Sequence, residues 1–127
     1  MDKSFEKGCV LIVGGSGGIG SLCAKEFAQS GARVVITYYK NEQAAVEVAK
    51  DINNDVQIYQ LDNSDPKSVE ETFQKVVNDH GSINTLVNAA GFDIPQKFIS
   101  EIDIDLWKGV IDADINGFFN LVKFGLP

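Results

Sequence analysis

The stretch VLIVGGSGGIG, from Val10 to Gly20, decides the fold of this chain. Its first four residues are apolar and β-prone, which is typical of a buried parallel strand. The glycine-rich turn then opens a helix, and the missing side chains let backbone N–H groups approach an anion at the positive end of the helix dipole. The stretch therefore predicts a strand, a phosphate-binding turn and a helix at the start of a βαβ unit.

The remaining sequence alternates between strand and helix patterns. Runs rich in Val, Ile, Thr and Tyr predict three more strands, at residues 33–39, 56–61 and 83–88. The alternation predicts an α/β fold: a Rossmann-like, doubly wound parallel sheet of about four strands in the order 3-2-1-4, with helices on both faces. In that order the glycine turn and residues 88–91 meet at the carboxyl edge of the sheet, where ligands bind.

Local signals predict where the helices begin and end. Asn41 and Ser64-Asp65-Pro66 are typical helix starts, whereas Gly31 and Gly81 are typical stops. A broad apolar face predicts a long last helix over residues 106–122. The four-residue spacing of Ile19, Cys23 and Phe27 predicts a short amphipathic first helix. In the third helix, the residues predicted to face the core are Val69, Phe73, Val76 and Val77.

Composition limits the class of protein. With 127 residues, 44% hydrophobic and 23% charged, the chain fits one globular domain over residues 1–127. A net charge of -7 disfavours nucleic acid and anionic membrane surfaces as partners. No apolar run is long enough to span a bilayer and the N-terminus has no secretory pattern, so we expect a cytoplasmic protein. Cys9 and Cys23 are predicted to be separate thiols, and no metal site is expected.

The chain resembles the short-chain dehydrogenase/reductase family, most closely its 3-oxoacyl-[acyl-carrier-protein] reductase-like members. The likeness covers essentially the whole chain and rests on residues 14–20, 61–66, 86–91 and 107–117, in that order. It implies an oxidoreductase that transfers hydride between a nicotinamide cofactor and a small carbonyl compound or secondary alcohol. In relatives the last long helix helps to build the subunit interface, so the resemblance also implies a homo-oligomer.

The resemblance also implies which residues bind the dinucleotide. The glycine turn would receive the pyrophosphate, Asp62 would bond the adenine with the Asn63 backbone nearby, and residues 88–91 would line the cofactor. The residues alone leave alternatives open, because Asp62 also suits a local turn and residues 88–91 also suit tight packing at a strand end. The predicted cofactor contacts are Gly14, Gly15, Ser16, Gly17, Gly18, Ile19, Gly20, Thr37, Tyr38, Lys40, Asp62, Asn63, Asn88, Ala89, Ala90 and Gly91.

The end of the second strand bears on the choice between NADP and NAD. A carboxylate there would bond the ribose 2′-OH of NAD and repel the extra phosphate of NADP. The family position is Tyr38, which is not an acid, and the nearby Lys40 is a cation that could meet a 2′-phosphate. However, Gly17 lies where many NADP-using relatives carry a basic residue, and Tyr39 lies where some carry arginine. We therefore expect a modest preference for NADP, with a solvated surface lysine as the competing interpretation of Lys40.

Two positions depart from the family pattern. Val13 replaces a threonine whose hydroxyl tethers the glycine turn, so the turn is expected to be less rigid. Asp114 lies where the family's catalytic tetrad has asparagine, which makes it the one candidate catalytic residue of this chain. An ionised carboxylate accepts hydrogen bonds but donates none, so a relay role for Asp114 competes with that of an ordinary helix-surface aspartate.

The remaining tetrad members of the family are not found in the sequence. No tyrosine is followed four residues later by a lysine. We therefore expect the chain to be the amino-terminal, cofactor-binding part of a longer reductase, inactive by itself. The alternative is a non-catalytic nucleotide-binding or interaction module that is complete at this length.

Overall fold

The computed structural model of the protein describes residues 7–53 and 55–126. Four parallel strands form one sheet in the order β3-β2-β1-β4, which confirms the predicted order. The strands are β1 (Cys9–Val13), β2 (Val34–Tyr38), β3 (Gln57–Gln60) and β4 (Ile83–Asn88).

Helices cover both faces of the sheet, as the alternation predicts. They are α1 (Gly18–Gln29), α2 (Glu42–Ile52), α3 (Pro66–His80), α4 (Ile104–Val110) and α5 (Gly117–Gly125), with a 3₁₀ turn at Ile99–Glu101 and a π-helical segment at Ile111–Asn116. The segment joins α4 to α5 without a break, so the predicted long helix is confirmed but contains a π-helical turn. Within residues 7–53 and 55–126, no helix is long and apolar enough to cross a membrane.

The central strand β1 explains why its sequence is an unbroken apolar run. All five of its residues are buried, because side chains from successive positions enter two different cores. Leu11 and Val13 pack in the core beneath α3 and α5, whereas Val10 and Ile12 pack in the core beneath α1 and α2. The sheet is therefore buried on both faces at its centre.

The predicted helix ends are confirmed by their capping contacts. The Asn41 side chain accepts a hydrogen bond from the Ala44 N–H at 3.0 Å. Asp65 caps α3 by accepting from the Lys67 N–H at 3.0 Å, with Pro66 as the first helical residue. Gly81 ends α3 with a φ of 91°, a backbone conformation that favours glycine.

Two residues on the predicted apolar faces are exposed, and one of them, Val77, is a predicted core position that is wrong. Ile19, on the apolar face of α1, is 76% exposed, because it lies in the first turn of the helix next to the glycine turn. Val77 is 42% exposed and lines an open cavity of about 540 Å³ between α3, β4 and α5, beside the sheet edge that β4 forms. Helical spacing identifies a face, but it does not show that other elements cover the whole of that face.

Candidate functional site

A cleft of about 300 Å³ lies at the carboxyl edge of the sheet, where the segments after all four strands meet the π-helical segment. Of the residues predicted to bind a cofactor, it brings together Gly14, Thr37, Tyr38, Asp62, Asn63, Ala90 and Gly91. The other predicted residues are not part of its lining: Gly15, Ser16, Gly17, Gly18, Ile19, Gly20, Lys40, Asn88 and Ala89. Its lining also includes Tyr39, Ser64, Phe92, Gly109, Asp112 and Ala113.

The glycines of the turn and of the first residues of α1 are of two kinds. Gly14 has a φ of 76°, and a Cβ there would lie 2.7 Å from the Ala90 nitrogen. A Cβ at Gly20 would lie 2.2 Å from the Gly14 carbonyl oxygen. Internal packing therefore requires glycine at both positions. A Cβ at Gly18 would meet no atom within 4 Å, so the described part of the chain does not explain the glycine there.

The amide groups of this turn are also of two kinds. The Gly14 N–H donates to the Thr37 hydroxyl at 3.2 Å, and the Gly15 N–H donates to the Thr37 carbonyl at 3.0 Å. The first N–H groups of α1 have no intrahelical acceptor, and the Gly17 N-cap has no side chain to provide one. Within residues 7–53 and 55–126, no acceptor is found for the N–H groups of Gly18, Ile19 and Gly20, and they lie beside the open space at Gly18, at the positive end of the helix dipole.

Thr37 replaces the hydroxyl that the family's threonine provides and Val13 lacks, because its own hydroxyl holds the glycine turn. Thr37 lies in β2 and is only 1% exposed. Its hydroxyl accepts a hydrogen bond from the Gly14 N–H. The predicted cofactor contact at Thr37 is thus a buried group that holds the turn in place.

Asp62 forms the local turn that was one of its two interpretations. Its Oδ1 accepts hydrogen bonds from the Ser64 N–H at 3.0 Å and from the Ser64 hydroxyl at 2.6 Å. The Asp62 N–H donates to the Ser68 hydroxyl at 3.1 Å. Because Asp62 also lines the cleft, the turn fixes a carboxylate at the place where a ligand would bind.

The π-helical segment holds Asn63 in the cleft wall. The Gly117 N–H donates to the Asp112 carbonyl, five residues earlier, instead of to Ala113 four residues earlier. The Ala113 carbonyl accepts from the Asn63 side chain at 3.2 Å. A Cβ at Gly117 would lie 2.6 Å from the Asn63 Nδ2, so glycine makes room for this contact. The Asn120 side chain donates to the Asn63 carbonyl at 2.9 Å and fixes its backbone as well.

Sequence reasoning missed Phe92 and Gly109, which form another wall of the cleft. A Cβ at Gly109 would lie 3.0 Å from Phe92 Cε2, so the ring packs on bare backbone of α4. The sequence offered one signal for Gly109, namely its place inside a predicted helix. A glycine there costs about 1 kcal/mol relative to alanine, so its presence often means that another group packs against the backbone.

Asp114 lies in the π-helical segment but is not part of the cleft lining. Its Oδ1 accepts a hydrogen bond from the Phe92 N–H at 3.2 Å. The candidate catalytic residue therefore contacts the backbone of the cleft wall.

The end of β2 presents two tyrosines and a lysine. The Lys40 Nζ lies 5.2 Å from the centroid of the Tyr39 ring, within the range of a cation–π contact. Burial raises the pKa of the Tyr38 hydroxyl, and the Glu42 carboxylate adds to the rise by repulsion and a side-chain hydrogen bond. An acid near this hydroxyl, Glu42, thus comes from the start of α2, four residues after the family's acidic position.

Another group of titratable side chains lies at the C-terminal end of α3. The Tyr59 hydroxyl donates to Asp79 at 2.5 Å and lies 3.3 Å from His80 Nε2. Burial and the positive charge of Arg33 lower the pKa of His80, while Asp79 opposes the shift. Within the described ranges, 7–53 and 55–126, no three His, Cys, Asp or Glu side chains are arranged to hold a metal ion.

Comparisons with known proteins agree with this geometry. A family model described as short chain dehydrogenase matches residues 8–127. The 3-oxoacyl-[acyl-carrier-protein] reductase FabG of Thermotoga maritima is 32% identical over 119 residues, which cover 92% of this chain and 48% of that protein. The chain spans about half the length of the curated relatives it matches.

Two solved structures share the fold. A 3-ketoacyl-(acyl-carrier-protein) reductase from Brucella melitensis, complexed with NADH, has a TM-score of 0.89 at 24% identity and covers 97% of this chain and 50% of that one. ElxO with NADP bound has a TM-score of 0.82 at 31% identity and covers 94% of this chain and 49% of that one.

Proposed function

The chain belongs to the short-chain dehydrogenase family, and from this premise we propose that it binds a nicotinamide dinucleotide for hydride transfer to or from a small carbonyl compound or alcohol. The observation that carries the proposal is the open space at Gly18 beside unpaired amides of α1. Family membership favours this oxidoreductase function over a non-catalytic interaction module.

The residues present fit the cofactor. In the proposed arrangement the N–H groups of Gly18, Ile19 and Gly20 bind the pyrophosphate, because they lack intrahelical acceptors. The exposed Ile19 side chain then gains an apolar surface to contact. When bound, the dinucleotide supplies or accepts the hydride.

The cleft is proposed to hold the adenosine. Asp62 and Asn63 are fixed on one side by the turn and by the π-helical segment, and Gly91 and Phe92 lie on another side. Fixed polar groups in a mainly apolar cleft are the usual arrangement for orienting a small ligand. Asp62 would accept from the adenine amino group, since a carboxylate oxygen can accept more than one hydrogen bond.

NADP is proposed as the preferred dinucleotide. Tyr38 is not an acid, and Lys40, two residues after the end of β2, is a cation that would attract a 2′-phosphate. The structural relatives include one protein with NADP and one with NADH, so the proposal rests on these residues and not on the relatives. The Glu42 carboxylate is the feature that opposes it.

The test is calorimetric titration of the 127-residue chain with NADP⁺ and NAD⁺ in separate experiments. We expect both to bind, with NADP⁺ the tighter ligand. Failure of both to bind at millimolar concentration would refute the proposed function, whereas tighter binding of NAD⁺ would refute only the preference.

Catalysis by the whole protein is a separate part of the proposal, because the family's Tyr-x-x-x-Lys pair is not found in these residues. A homo-oligomeric state and a cytoplasmic location stay predictions. Analytical ultracentrifugation would test the first, and cell fractionation would test the second.

A further inference from the structure

The wall of the cleft after β4 has little regular structure to hold it. Between the end of β4 and the 3₁₀ turn, residues 89–98 form no helix or strand. At the start of this segment the Ala90 N–H donates to the Asn88 side chain at 3.2 Å. Farther along, the Phe92 N–H donates to Asp114 at 3.2 Å. The Asp114 contact joins the wall to the long helix.

The Phe92 ring depends on the same contact. It is 41% exposed, and its buried side packs on the bare backbone of Gly109. The hydrogen bond from the Phe92 N–H to Asp114 holds the backbone from which this half-exposed ring projects. Both Gly91 and Phe92 line the cleft, whereas Asp114 is not part of its lining.

We propose that Asp114 is a positioning residue for the dinucleotide cleft: its carboxylate fixes the Phe92 backbone and thereby holds Gly91 and the Phe92 ring against the ligand. This inference rests on the proposed function. It assigns Asp114 no proton transfer. The role needs only an acceptor, which an ionised carboxylate provides with the added strength of its charge.

Three substitutions separate this role from a general structural one. Asp114→Ala removes the acceptor, Asp114→Asn keeps an oxygen acceptor without the charge, and Asp93→Ala removes a carboxylate from the same exposed loop. Each variant is titrated with NADP⁺ by calorimetry, and its melting temperature is measured in parallel.

Asp114→Ala is expected to weaken NADP⁺ binding about tenfold, which corresponds to about 1.4 kcal/mol. Asp114→Asn is expected to restore most of this loss, to within about threefold of the wild-type dissociation constant, since a neutral acceptor is roughly half as strong as a charged one. Asp93→Ala is expected to bind like the wild type. Wild-type affinity in Asp114→Ala, or no rescue in Asp114→Asn, would overturn the proposal.

A second readout does not depend on the ligand. In the unliganded chain, the Phe92 amide proton should exchange with solvent faster in Asp114→Ala than in the wild type, because the side chain that accepts its hydrogen bond is removed. The exchange rate, read from the Phe92 amide resonance, should stay close to the wild-type rate in Asp93→Ala. A rate in Asp114→Ala equal to that of the wild type would also overturn the proposal.

The two readouts distinguish the two possible failures. If the wild-type chain binds no dinucleotide, the proposed function fails, and the Phe92 exchange rate still decides whether Asp114 holds the wall. If the dinucleotide binds but Asp114→Ala leaves its affinity unchanged, only the positioning role fails.

Discussion

Gly18→Ala separates the requirements of folding from those of binding. A Cβ at this position meets no atom within 4 Å, and the residue is the first of helix α1. Replacing a helical glycine by alanine favours the folded state by up to about 1 kcal/mol, because the unfolded chain loses conformational freedom. We therefore expect the free energy of unfolding to stay the same or to rise by that amount.

The same methyl group would fill the space in which the pyrophosphate is proposed to approach the α1 amides. Losing a hydrogen bond to a charged group costs about 1.5–3 kcal/mol, which corresponds to a dissociation constant roughly 10- to 150-fold higher. Urea denaturation measures the first expectation, and calorimetric titration with NADP⁺ measures the second.

Gly20→Ala is the matched control, since it makes the same change two residues later in the same helix. Its Cβ would lie 2.2 Å from the Gly14 carbonyl oxygen, so the backbone must move. We expect the free energy of unfolding to fall by about 1–3 kcal/mol, as in other overpacked sites. If Gly18→Ala binds NADP⁺ as tightly as the wild type, the reasoning about the open space is refuted. If it destabilises the chain as much as Gly20→Ala does, the separation of the two glycine roles is refuted.

Three further predictions concern other parts of the chain. Lys40→Ala should weaken NADP⁺ binding about two- to fivefold, typical of an exposed charge pair, and leave NAD⁺ binding unchanged; an equal loss for both in parallel titrations would contradict a 2′-phosphate contact. Asn120→Ala should lower the free energy of unfolding in urea by about 1–3 kcal/mol, because the buried amide donates to the Asn63 carbonyl, and a neutral effect would count against this clamp. Burial and Arg33 lower the pKa of His80 below its usual 6.5, so the unfolded chain takes up a proton more readily than the folded one, and stability should fall as the pH drops below about 6.5. Urea titrations from about pH 7 to 5 should show a smaller fall for His80→Gln than for the wild type, and identical falls would exclude His80 as the cause.

The strand order and most helix ends followed from local sequence signals. The connection between two parallel strands is nearly always a right-handed crossover. The alternating pattern and the glycine turn therefore left few possible topologies for the sheet. Asn41 and Asp65 cap helices as predicted because capping depends on contacts within three residues. Signals of this short range can be recognised without knowing the rest of the fold.

The details of the site depend on residues that are far apart in sequence. The π-helical segment coincides with the hydrogen bond from Asn63 to Ala113, which lies fifty residues away. The tether between Thr37 and Gly14 joins β2 to the turn after β1, and nothing near Gly14 in sequence indicates it. Likewise, the exposure of Ile19 follows from its place in the first turn of α1, which the spacing of apolar residues does not report.

A crystal structure of the chain with NADP⁺ bound is the most direct test of the account. We predict pyrophosphate oxygens about 3 Å from the N–H groups of Gly18, Ile19 and Gly20, with the adenosine in the cleft beside Asp62 and Phe92. A dinucleotide bound elsewhere, such as in the cavity between α3 and α5, with the space at Gly18 still unfilled, would contradict it.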